Sequence, residues 1–204
     1  MRLFIVILFL LFFTATPVLA DTHFEAGKQA YDQGDWFNAI RILRPLAEQN
    51  DDRALVLLGN MYNDGSGVHQ DHTLAFEHYK RALINQNHTA MASIATMYTQ
   101  GIGVEKDFQT GYNWFVKAAD FGNSAAQIML ASLLIEGHPE LPSLKPDLEQ
   151  SYVWYRIVQI NSETPEFIKL ATELAKRVTI HLTPDQILSA ERKAKSWQPK
   201  PKDF

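Results

Sequence analysis

Two stretches of the chain are copies of one unit. Residues 54–89 read ALVLLGNMYNDGSGVHQDHTLAFEHYKRALINQNHT, and residues 90–125 read AMASIATMYTQGIGVEKDFQTGYNWFVKAADFGNSA. At a shift of 36 they share nine identities, among them Met61/Met97, Tyr62/Tyr98, Gly65/Gly101, Gly67/Gly103, Val68/Val104 and Asp71/Asp107. About two would be expected from ordinary composition. The remaining positions agree in kind, as in Leu58/Ile94, Gly59/Ala95, Phe76/Tyr112 and Tyr79/Phe115. A third unit starts at Ala126 and keeps Ala131, Gly137, Asp147, Tyr152, Trp154 and Tyr155. Asp147 lies 40 residues beyond Asp107, so this unit carries a four-residue insertion. The insertion falls in HPELPSLKP, where Pro139, Pro142 and Pro146 forbid helix and favour an extended loop.

The unit has the period of a helix pair. Ala54, Leu57, Leu58, Met61 and Tyr62 recur at helical spacing and form one apolar stripe. Gly65 is placed to end that helix in a left-handed conformation, Gly67 lets the chain double back, and Val68 can enter the space between helices. Asp71 stands where an N-cap carboxylate would accept from the orphan amides of the next helix. That helix carries Leu74, Ala75, His78, Tyr79 and Ala82 on one side, and Asn87, or Gly122 in the next copy, turns into the following unit. Gly59, Ala75 and Ala82 allow close approach, and Tyr62 and Tyr79 fill what remains. One such pair cannot bury both of its apolar faces, whereas stacked copies can. The expected fold is therefore all-α: an α-solenoid of stacked antiparallel helix pairs in a right-handed superhelix.

The organisation that follows is a signal peptide over 1–20, a divergent N-terminal helix pair over 21–53 turning at Gly34-Asp35, and three repeats over 54–89, 90–125 and 126–163. Two capping helices follow over 164–197, and 198–204 reads as a flexible tail. The spacing A-x(3)-L-G-x(2)-Y-x(2)-G-x-G-V-x(2)-D-x(3)-A, from Ala54 to Ala82 and again from Ala90 to Ala119, resembles the Sel-one-like repeat, a relative of the tetratricopeptide repeat. LTPDQILSAERKAKSW is similar to the closing helix of bacterial members. In the third unit Leu134 stands where tyrosine belongs, and His138-Pro139 replaces the Gly-Val step. The resemblance implies adaptor, scaffold or regulatory roles through binding of protein or peptide.

The first 20 residues set the expected address. Arg2 precedes the apolar run Leu3–Phe13, which is followed by Thr14, Thr16, Pro17 and the small-residue site ending at Ala20. As a helix that run covers roughly 16 Å, against about 30 Å of bilayer hydrocarbon. Export with cleavage between Ala20 and Asp21 is expected, to the periplasm in a Gram-negative cell and otherwise to the medium, with no stable membrane insertion afterwards. Nineteen basic and 23 acidic residues are too balanced for a nucleic-acid binder. The absence of cysteine removes disulfides, thiolate metal sites and thiol nucleophiles.

Catalytic signals are weak. His69, Asp71 and His72 share one loop near Asp64, and a metal-dependent enzyme centred on His69 and His72 is the minor alternative. The matching positions of the next copy are Glu105, Asp107 and Phe108, which favours a capping aspartate beside solvated histidines. His78 occupies the place held by Trp114 and Trp154 in the other copies, so it reads as a packing residue. Trp36, Trp114 and Trp154 read as recurring core positions. Ser66 has no base in view, and no phosphate loop or nucleophile elbow is present. The expected function is a non-enzymatic, cofactor-free interaction module. A polysaccharide-associated envelope accessory is the second alternative, one that requires exposed aromatic platforms. Beside the apolar stripe, the first helices leave Asn60 and Asn63, then Ser93, Thr96 and Gln100, then Ser132, as a polar strip that could hydrogen-bond a partner on the concave wall. The loop from His138 to Pro146 stands at one edge of that strip as a specificity element.

Overall fold

A computed structural model describes residues 17–201, with side chains from Asp21 onward. It contains helices α1 (Pro17–Asp32), α2 (Trp36–Glu48), α3 (Asp52–Asp64), α4 (His72–Ala82), α5 (His88–Gln100), α6 (Phe108–Asp120), α7 (Ser124–Glu136), α8 (Leu148–Asn161), α9 (Pro165–Thr179) and α10 (Pro184–Ser196). A 3-10 turn over Leu83–Asn85 follows α4, and there is no strand among the described residues. Helices pair as α1/α2, α3/α4, α5/α6 and α7/α8, and each second helix also packs on the first helix of the next pair. The last two helices, α9 and α10, both close on α8. The all-α solenoid is as the repeat implies. Residues 1–16, most of the expected export signal, lie outside the described residues. Pro17 is the first described residue of α1.

Every repeat is built by the same local chemistry. Asp51, Asn87 and Asn123 cap the first helices by accepting from amides of their first turns. Asp35, Asp71, Asp107 and Asp147 do the same for the second helices. Such a cap contributes about 1 kcal/mol and fixes where a helix begins. The first helices end at Gly65 and Gly101, whose φ of 71° and 73° are left-handed. The loop then closes on its own helix: Asp71 N–H donates to the Tyr62 carbonyl and Asp107 N–H to the Tyr98 carbonyl, both at 2.8 Å.

In the third unit Asp147 N–H donates to the Leu134 carbonyl, again at 2.8 Å. The insertion is thus looped out of an unchanged helix pair. Gly137 takes φ 77° and ψ −163°, which directs the chain outward rather than across. Leu141, 4% exposed, tethers the excursion, and the loop has no helix.

Packing explains the small residues. A Cβ on Gly59 would lie 2.5 Å from the Tyr79 ring, so α3 and α4 could not approach as they do with any other residue there. Ala75 and Ala82 are fully buried in the same seam. Leu43, Leu55, Met61 and Ile94 anchor the N-terminal core, each contributing roughly 1.5–3 kcal/mol by burial. Tyr155, Ile157, Val158 and Val178 do so around α8 to α10.

The second loop glycine forms the junction between units. A Cβ on Gly67 would lie 2.3 Å from the Trp36 Cβ, and one on Gly103 would lie 2.7 Å from the His72 carbonyl oxygen. Trp36, His72 and Phe108 are the first residues of α2, α4 and α6. Trp36 therefore does not share the position of Trp114 and Trp154, contrary to the sequence reading, and all three indoles are half-buried rather than central core. At the third junction, where the glycine is missing, the His138 ring stacks on Phe108 at 3.8 Å.

The C-terminal segment makes specific contacts. Trp197 meets Trp154 edge-on at 6.4 Å, and Lys200 binds Asp120 through its amide at 2.8 Å and its ammonium at 2.6 Å. The indole at Trp197 and the charge pair at Lys200 thus flank an extended, proline-restricted segment; residues 202–204 lie outside the described residues.

Candidate interaction surface

The 36-residue period places equivalent residues of α3, α5 and α7 in rows. One row is Asn60, Thr96 and Ser132; a second is Leu57, Ser93 and Met129; a third is Asp64, Gln100 and Glu136; a fourth is Arg53, Thr89 and Ala125. Five of the six residues picked from sequence fall in these rows. Asn63 does not. Its Oδ1 faces His72 Nδ1 at 3.1 Å and its carbonyl accepts from Gln70, so it braces the loop between α3 and α4.

Asn60, Ser93 and Ser132 also serve the fold, since Asn60 and Ser93 both bond the Tyr79 hydroxyl. Tyr79 donates its hydroxyl to Asn60 Oδ1 at 2.8 Å, and the Ser132 hydroxyl lies 3.1 Å from the Tyr155 hydroxyl. Burial pushes both phenols above their ordinary pKa, so they stay neutral and the middle row carries no charge. Only Oδ1 of the Asn60 amide is engaged in this way. Thr96 and Ser132 donate back to the carbonyls of Ala92 and Ile128, which leaves their oxygens to accept. Gln100 is exposed, and its side chain makes no hydrogen bond with the described residues. These rows thus present a donor at Asn60, acceptors at Thr96 and Ser132, and acidic side chains at Asp64 and Glu136.

Besides Asp64, which the sequence reading placed only beside the histidine loop, that reading left three large or charged residues of these rows out of the strip. Met129 is 42% exposed, an adaptable apolar contact in the second row. Arg53 stands in the fourth row, held by Asp51 and Asp21 at 2.9 Å. Glu136 ends the third row. The signal for all three was the period itself, applied to every position of the helix rather than to its small polar residues.

The histidine loop does not assemble a metal centre. His69 Nδ1 lies 2.9 Å from the Gln70 carbonyl and His72 Nδ1 is taken by Asn63. No group of three or more histidine or carboxylate side chains converges among the described residues. His78 stacks on Tyr62 at 5.3 Å with its ring partly buried, the packing role expected of it. Burial, with Arg81 nearby, lowers its pKa.

The Sel1 repeat matches residues 52–85, 88–123 and 124–157, just over half of the chain and three of its helix pairs. The chain belongs to the Sel1 repeat family. This repeat is a helical protein–protein interaction module. Among solved structures, a protective antigen of uropathogenic Escherichia coli strains displaying an SLR fold is 27% identical, with a TM-score of 0.69 over 88% of this chain and 38% of the antigen. A Sel1 repeat protein from Oxalobacter formigenes is 26% identical, with a TM-score of 0.65 over 90% of this chain and 76% of that one. The chain therefore spans well under half of the antigen it resembles. Comparison with the curated proteins gave no match. No described helix is long and apolar enough to cross a membrane.

Proposed function

We propose that this Sel1 repeat protein is an exported, non-enzymatic adaptor whose first helices form a concave wall that binds an extended segment of a protein partner. The observation that carries the reading is the alignment of Asn60, Thr96 and Ser132, with Asp64, Gln100 and Glu136 beside them, across three stacked units. A row of neutral donors and acceptors suits the backbone of an extended peptide, whose amides and carbonyls recur along its length. The loop over 138–146 borders that wall through Glu136 and lines a shallow pocket with His138, Pro142 and Lys145, so it is placed to select side chains. Export rests on the charge and apolar pattern of residues 1–20, and N-terminal sequencing of the exported form is expected to begin Asp-Thr-His.

The test is quantitative capture of envelope proteins by the 21–204 form, comparing wild type with Thr96→Arg, Gln100→Arg and the remote control Lys169→Glu. Partners should be lost at least tenfold, about 1.4 kcal/mol, from both wall variants and retained by the control. Equal capture by all four proteins would refute the wall.

A further inference from the structure

The chain's own C-terminus reveals what a groove between two second helices accepts. Trp197 stands against Trp154 of α8, Pro199 lies 3.5 Å from where a Cβ on Gly122 would be, and Lys200 reaches Asp120 at the end of α6. The extended tail thus runs from α8 to α6 over the α6–α7 turn. By repeat register, Trp154, Gly122 and Asp120 correspond to Trp114, Gln86 and Ile84 one unit upstream.

There, no segment among the described residues takes the tail's place. Ile84 is 72% exposed. Beside it a groove of about 270 Å³ opens between α4 and α6, floored by Ile94 and Tyr98 of α5 and walled by Phe76, Leu83 and Trp114. Aromatic-lined grooves of this kind suit extended, proline-containing segments, which lose little entropy on docking.

The rim differs from the occupied groove in charge. Lys80 Nζ stands 5.5 Å from the centre of the Phe76 ring, and Lys117 Nζ stands 4.5 Å from that of Trp114. Lys80 shares its charge with Glu77 at 3.0 Å, while Lys117 has no carboxylate partner among the described residues. Asp120, which receives Lys200 downstream, has only Ile84 as its upstream counterpart. A second copy's lysine-bearing tail would therefore meet like charge here.

We infer that the α4–α6 groove is a second docking site, distinct from the first-helix wall, for an extended segment of a protein partner. That segment places an aromatic side chain between Phe76 and Trp114 and a carboxylate about three residues later against Lys80 and Lys117.

The probes are two fluorescein-labelled peptides, Trp-Gln-Pro-Glu-Pro-Glu and Trp-Gln-Pro-Lys-Pro-Lys, titrated with the 21–204 protein at low salt and followed by anisotropy. The acidic peptide should bind saturably and at least tenfold tighter than the basic one. The surface variant Lys80→Glu/Lys117→Glu should invert that preference, and Phe76→Ala should weaken docking of the aromatic end, while circular dichroism confirms that both are folded. Gln100→Arg should leave binding of the acidic peptide unchanged, which separates this site from the wall. The inference is overturned if the basic peptide binds as tightly or tighter, which would make a second copy's tail the occupant. It is equally overturned if the acidic peptide does not saturate, or if its binding is indifferent to the lysine reversals.

Discussion

Alanine at Gly103 and alanine at Gly101 separate two roles that look alike in sequence. Both glycines are left-handed, at φ 69° and 73°, so either substitution costs about 1 kcal/mol of backbone strain. Their surroundings differ. A methyl on Gly101 meets the Lys106 Cβ at 3.1 Å within the same loop, a contact relieved by a shift of a few tenths of an ångström inside that one loop. A methyl on Gly103 meets the His72 carbonyl oxygen at 2.7 Å and its carbon at 2.8 Å, which belong to the backbone of the preceding unit. Relieving that overlap means moving one repeat against the next, adding roughly 1–3 kcal/mol, as other overpacking does. At roughly 2–4 °C per kcal/mol for a domain of this size, Gly101→Ala should lower the melting temperature by about 2–4 °C and Gly103→Ala by about 5–15 °C. Thermal unfolding followed by circular dichroism measures both, and hydrogen exchange should show the added loss concentrated where α4 meets the α5–α6 loop. Equal shifts for the two variants would refute the assignment of the second glycine to the junction.

Two further outcomes follow from titrating groups. Burial, then Arg81, lowers the His78 pKa below its ordinary 6.5, and its Nδ1 has no hydrogen-bond partner among the described residues. The fold therefore prefers neutral His78, so its contribution is complete above pH 6.5 and declines as pH falls through that value. His78→Phe should stabilise by about 1 kcal/mol at pH 5.5 and flatten that slope, read as urea midpoints between pH 5 and 8. For Glu191 burial acts upward, but the hydrogen bonds from Arg156 and Tyr152 outweigh it and leave the carboxyl below its ordinary value. Its contribution is present above about pH 4.3 and is lost as pH falls through the lower folded value. Glu191→Gln should therefore remove part of the acid-side loss of stability that docks α10 on α8, and an unchanged acid limb would count against that pairing.

The period carried most of the architecture. Caps at Asp71 and Asp107, helix ends at Gly65 and Gly101, and packing by Tyr79 all obey local rules that a sequence states directly. What it hid was relational. Gly67 and Gly103 looked like turn residues, yet their spacing is dictated by Trp36 and His72 a full unit away. Trp36 looked equivalent to Trp114 because both are tryptophan, although the register sets them on different faces. The tail at Trp197–Lys200 had no periodicity to betray that Trp154 and Asp120 would receive it. On the first helices, a search for short neutral polar side chains selected Asn63, whose partner His72 arrives only when the loop folds back, and passed over Met129 and Glu136.

The central proposal is that a protein partner lies along the first helices. Site-specific photocrosslinking tests it most directly, with benzoylphenylalanine placed at Gln100 on the wall and, in a separate protein, at Lys169 on α9. Irradiation in the native envelope should give a discrete protein adduct from position 100 and none from position 169. An adduct from position 169 with none from position 100 would place the partner elsewhere and contradict the account.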